Sequence, residues 1–109
     1  KGRRLQNFVR DALHYVFIET WKKLPKLEED DIKSQTMGMT GMDIVLSPKA
    51  RQSIPYSFEC KNKERMDLWK SLQQAEDNAG EGVPVLVLKR NNSKTYAVIE
   101  IDQFIGLIK

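Results

Sequence analysis

Tyr56-Ser57-Phe58-Glu59-Cys60-Lys61 is the stretch whose reading decides the fold. It follows the Ile54-Pro55 break and has the composition of a short strand. Along a strand, residues two apart point to one face, so the Glu59 carboxylate and the Lys61 ammonium project together while Phe58 and Cys60 turn to the core. Such a pair on a solvated face is an ordinary ion pair worth ~0 to 1 kcal/mol. Held beside a second carboxylate, the same pair becomes a site for phosphate chemistry.

Upstream, Asp43 opens the aliphatic run Ile44-Val45-Leu46, which Ser47-Pro48 stops. This reads as a strand neighbouring 56–61, so Asp43 can supply the second carboxylate. Two carboxylates, water and a phosphate oxygen make the oxygen site that Mg²⁺ prefers. Further back, Leu5, Phe8, Val9, Ala12, Leu13, Val16 and Phe17 recur at three- and four-residue spacing, which predicts an amphipathic helix ending before Pro25. Residues 26–42 mix Glu28-Glu29-Asp30-Asp31 with Gly38 and Gly41, a loop-rich stretch with room for one short strand around Ile32 to Thr36.

Downstream, a helix is expected from Glu64, with Leu68, Trp69, Leu72 and Ala75 inward and Gly80 as its left-handed cap. Val83 to Leu88 and Tyr96 to Ile101 flank Asn91-Asn92-Ser93 as a hairpin. Asp102 is expected to cap a short closing helix through Leu107 and Ile108. Helices and strands in this order predict an α/β fold, a central mixed sheet flanked by helices, in a single domain over 1–109.

The totals narrow the chemistry. With 109 residues, 40% hydrophobic and 30% charged, the chain has the makeup of one soluble domain. It has no apolar stretch of membrane-spanning length and nothing resembling a secretory signal at its start, so a soluble, intracellular, cytoplasmic location is expected. One cysteine and one histidine, Cys60 and His14, exclude a Cys/His zinc cage, so any metal is held mainly by oxygen. The net charge of +3 and pI near 9.0 suit a polyanionic partner without specifying one.

The whole order is a helix, a Gly-rich loop to Asp43, a gap of 15 residues, Glu59-Cys60-Lys61, then a helix bearing Gln74. It resembles the PD-(D/E)XK nuclease superfamily, the restriction-endonuclease-like fold with an αβββαβ core, over nearly the full chain. The opening Lys1-Gly2-Arg3-Arg4-Leu5-Gln6 resembles the start of archaeal-type Holliday junction resolvases, and the whole chain is closer still to small phage-encoded nucleases of this fold. The resemblance implies Asp43 and Glu59 as metal ligands with the Cys60 carbonyl as a third, Lys61 as the catalytic lysine, and Gln74 as the glutamine on the following helix. Gln73 lies about 100° away around that helix, so only one of the pair faces the site.

Two positions depart from the family pattern. Met42 stands where the name has proline, and Gln6 stands where the resolvases carry a glutamate. Gln6 still lies on the apolar stripe, so it either reaches the metal's water or the phosphate, or caps a buried backbone group. Glu19, near the edge of the stripe, is a weaker substitute ligand.

The resemblance implies a metal-dependent DNA endonuclease using Mg²⁺ or Mn²⁺, structure-specific or nicking, acting as a homodimer in the host cytoplasm if phage-encoded. A sequence-specific restriction or homing nuclease and a catalytically silent DNA-binding module of the same fold remain alternatives. Phosphate contacts are expected from Lys1, Arg3, Arg4 and Arg10, from Lys49 and Arg51 in the turn, and from Lys63 and Arg65 with Lys70 near the motif. Cys60 with His14 lacks the third group a thiol nucleophile needs. Trp21 and Trp69 suit a core or interface better than base stacking.

Overall fold

Leu5 and Val9, one helical turn apart, are buried together with Cys60, Val85 and Val87, so the first helix is laid along a sheet by its apolar stripe. In the computed structural model, which describes residues 2–20, 24–36, 39 and 41–109, that helix is α1 (Gly2–His14) and runs on as a π-helical turn over Tyr15–Glu19. Lys1 and Trp21 lie outside the described residues, as do Met37 and Gly38. His14 Nε2 lies 2.7 Å from the Ile32 carbonyl oxygen and Asn7 Oδ1 accepts from Ser34 Oγ at 2.8 Å, tying the helix to the next element.

That element is β1 (Ile32–Ser34), paired antiparallel with β2 (Ile44–Leu46). The second sheet has the order β3-β4-β5, with β3 (Tyr56–Asn62) parallel to β4 (Val83–Lys89) and β4 antiparallel to β5 (Tyr96–Val98). The fold is α/β with a mixed sheet flanked by helices, as expected, but the strands divide into two sheets. Strands β2 and β3 do not form a ladder; Asp43, just before β2, bridges to β3, its N–H donating to the Phe58 carbonyl at 3.0 Å.

What separates the strands is a helix that the sequence reading passed over, α2 (Pro48–Ser53). Ser47 does not merely stop β2: its Oγ accepts from Ala50 N at 3.0 Å, with proline in the first turn, which is a helix N-terminus. Ser47 Oγ also donates to Asp31 Oδ1 at 2.6 Å. The Glu28 backbone N–H, Ser47 and the Lys49 ammonium hold the Asp31 carboxyl below its ordinary range.

The second long helix, α3 (Leu68–Asp77), starts later than Glu64 because Asp67 caps it, Oδ1 accepting from Lys70 N at 3.1 Å. Asp67→Ala is expected to cost about 1 kcal/mol, read as a lower melting midpoint. Leu68 and Trp69, in the first turn, are exposed rather than inward, while Ser71 and Ala75 are buried. Gly80, at φ 58°, takes the left-handed conformation expected of it. Gly82 has no space for a side chain, since a Cβ there would run into Ser57 Oγ, Arg51 Nη1 and the Ser57 backbone.

The last helix, α4 (Ile101–Ile108), begins at Glu100 with no side-chain cap, so Asp102 sits in the first turn instead of capping it. Helix α1 covers the sheet face carrying Tyr56, Phe58 and Cys60; α3 covers the face carrying Ser57 and Glu59. Strand β3 is thereby enclosed on both faces, as strands of parallel pairs usually are.

Candidate active site

Enclosure changes the nature of the Glu59–Lys61 pair. Glu59 is 5% exposed, and its Oε2 lies 3.6 Å from Lys61 Nζ. This is a walled pair rather than a solvated one. From the far end of α3, Asn78 Nδ2 donates to the other carboxylate oxygen, Oε1, at 3.3 Å.

Asp43 approaches from the outer edge of β3. Its Oδ2 accepts from the Cys60 backbone N–H at 2.6 Å. The N–H and C=O of one strand residue point to the same edge, so the Cys60 carbonyl opens on the side where Asp43 sits. Asp43, Glu59, Lys61 and the Cys60 backbone are thus brought together.

Burial, with the Asp43 charge second, pushes the Glu59 carboxyl above its ordinary value, while Asn78 and Lys61 pull the other way. A carboxyl raised in the folded state costs nothing below the unfolded value and its full penalty above the folded one. Glu59→Gln, without added metal, is therefore expected to melt higher than the parent at pH 7, with the gain fading as pH falls from the raised folded value to the ordinary glutamate range and absent below it. A variant that melts lower at pH 7 contradicts this. The Cys60 thiol is pushed up to about 12 by burial and by both carboxylates, which removes it as a nucleophile.

A family model described as "Phage putative PDDEXK endonuclease" matches residues 1–108. The chain belongs to that family. It is a nuclease of the PD-(D/E)XK type, as the order of elements implies. No curated protein and no solved structure matches the chain.

The other expected residues of this PD-(D/E)XK nuclease fall variously. Gln6 is buried, and its Oε1 has no hydrogen-bond partner among the described residues. It lies beneath the turn of α1 whose Arg3 donates to the Gln35 carbonyl at 3.2 Å, and the Gln35 N–H in turn donates to the Asp43 carbonyl at 2.8 Å. Glu19 is exposed at the opposite end of that helix. Gln74 is exposed, and Gln73 donates to Asp77 at 3.0 Å, while the side chain that α3 delivers to Glu59 belongs to Asn78. Asn78 lies one turn beyond Gln74 on the same helix face, so the spacing of four residues from the family's glutamine was the available signal.

Among the basic residues, Arg3, Arg4, Lys63, Arg65 and Lys70 are exposed. Arg10 pairs with Asp11 at 2.8 Å and Lys49 with Asp31 at 3.8 Å. Arg51 corrects the expectation of a DNA-facing turn. On α2 its guanidinium points inward, Nη1 donating to the Ile54 and Tyr56 carbonyls at 3.1 and 2.8 Å and Nη2 to Ser57 Oγ at 3.1 Å. Nη2 also reaches Met42 Sδ at 3.5 Å. It clamps the residue before Asp43 to the start of β3 and so sets one carboxylate against the other.

Proposed function

We propose that the chain is a metal-dependent DNA endonuclease that hydrolyses phosphodiester bonds in branched or nicked DNA, working as a homodimer in the cytoplasm of the host cell. The observation that supports this most is the placement of Asp43 beside the buried Glu59–Lys61 pair at the open edge of β3.

Among the described residues no group of three or more His, Cys, Asp or Glu side chains could hold a metal. The donor set still fits a hard divalent cation. Asp43 and Glu59 offer carboxylate oxygens, and the Cys60 carbonyl opens beside them. Mg²⁺ and Mn²⁺ take few protein ligands and keep water. When bound, such an ion polarises the scissile phosphate and acidifies a water.

The chain's own side chains do the rest. Lys61, held by Glu59, offsets the charge that builds on the phosphate and orients the attacking water. Asn78 and Lys61 fix the Glu59 carboxylate, so it needs no rearrangement to act. The buried Gln6 Oε1 is an acceptor for a water proton at the same end of α1. Arg3, Arg4, Lys63 and Arg65 contact phosphates on either side, which favours recognition by shape and charge.

The test is incubation with branched, nicked and linear duplexes in Mg²⁺, Mn²⁺ or EDTA. Cleavage is expected with either metal and none in EDTA, with branched or nicked DNA cut fastest. Binding without cleavage of any substrate in either metal would make the chain a silent DNA-binding module and sink the proposal.

A further inference from the structure

Helix α4 carries a complete apolar stripe, and none of its residues is buried. Ile101, Phe104, Ile105 and Ile108 recur at spacings of three and four, which puts them on one face. Together with Leu107 they are 41–64% exposed, and every residue from 101 to 109 is exposed. A helix of eight residues does not hold its shape in water by itself, so this stripe calls for a partner.

Beside it lies a second unfilled apolar feature. Between α3 and the β4–β5 side of the sheet runs a groove of about 760 Å³, floored by Leu86 and Pro84 and walled by Trp69, Leu72, Val98 and Ile99. Trp69, at 79% exposed, stands open at its margin. Glu76, Glu81 and Glu100 also line the groove, so it repels a polyphosphate and is no path for DNA.

We propose that this groove and α4 are the two halves of one self-complementary interface, occupied by a second copy of the chain. The inference deepens the homodimer of the preceding section by naming its surface. In a two-fold arrangement, the α4 stripe of one copy fills the groove of its partner and the partner's stripe fills the first groove, so one contact closes both apolar features on both chains. The size is right. Trp69 and the five apolar residues of α4 expose on the order of 600 Å² per copy, and with a polar rim this approaches the ~800 Å² per partner of a stable complex. The groove lies over β4 and β5, whereas Asp43 sits at the outer edge of β3, so each copy keeps its catalytic edge open.

Sedimentation and light scattering in the absence of DNA and metal test this independently of any cleavage. The wild-type chain is expected at twice its 12.6 kDa mass. Trp69→Glu and Phe104→Glu each raise the dimer dissociation constant by about 30-fold or more, the scale of a lost aromatic anchor. Both positions are exposed, so circular dichroism is expected to show an unchanged fold, and Asp102→Asn serves as a control that stays dimeric. Mixing Trp69→Cys chains with Phe104→Cys chains yields a disulfide between copies. A 12.6 kDa wild-type particle, whether or not it binds lipid vesicles, overturns the proposal, as does a dimer unaffected by both glutamate substitutions. Either result would leave the nuclease reading standing, and the monomer would remove its homodimer clause alone.

Discussion

Asp43→Asn is expected to reduce metal-dependent cleavage by on the order of 10³-fold or more while the protein stays folded. Asparagine is nearly the same shape and its oxygen can still accept from the Cys60 N–H, so the link between β2 and β3 survives. What is lost is a negative charge at the place where a divalent cation is proposed to sit. Lys61→Met should match it in size, since the pair partner of Glu59 then carries no charge. Asn78→Ala should cost less, about 10- to 100-fold, because Asn78 acts through Glu59. Single-turnover cleavage of a nicked duplex at saturating Mg²⁺, with circular dichroism beside it, separates these outcomes. If Asp43→Asn keeps more than a tenth of the wild-type rate, the carboxylate is not at the reacting centre.

The second large effect belongs to Arg51. Arg51→Met keeps the length of the stem but strands the Ile54 and Tyr56 carbonyls and leaves the Ser57 hydroxyl only its own bond to the Ala79 carbonyl. Leaving such groups without a donor costs about 1–3 kcal/mol each, so a total near 3 kcal/mol is expected. For a domain of this size that lowers the melting midpoint by more than about 10 °C. Arg51→Lys should recover only part, because one ammonium cannot reproduce a planar fork directed at several acceptors. Cleavage should fall as well, since Met42 is released from the same guanidinium and Asp43 follows it in the chain. Thermal melts of the three proteins decide the stability claim; a loss below about 1 kcal/mol would mean that water replaces the guanidinium.

The contrast between these two residues shows what sequence can convey. Asp43, Glu59 and Lys61 were legible because strand parity and order of elements are local properties, and the walled pair of the structure is the one parity predicted. Arg51 was misread as a surface cation because nothing in its neighbours announces that four acceptors from Met42, Ile54, Tyr56 and Ser57 converge on it. Its partners become neighbours only once α2 folds back on β3. The helix itself was signalled by Ser47-Pro48, a capping pair that also suits the end of a strand. Trp69 and Leu68 were expected inward because helical periodicity fixes spacing but not which face meets the sheet, and that face is the one carrying Ser71 and Ala75. Asn78 was missed because the resemblance drew the reading to Gln74, one turn earlier on α3.

Strand β3 is the outermost strand of its sheet, and on its outer side Asp43 accepts from the Cys60 N–H and donates its own N–H to the Phe58 carbonyl. An uncovered strand edge is a template on which other chains add strands and build aggregates. Here one residue occupies both hydrogen-bonding positions at the middle of that edge and presents a negative charge to any incoming strand. The acid proposed for cutting DNA therefore also guards the protein against self-templated β-assembly.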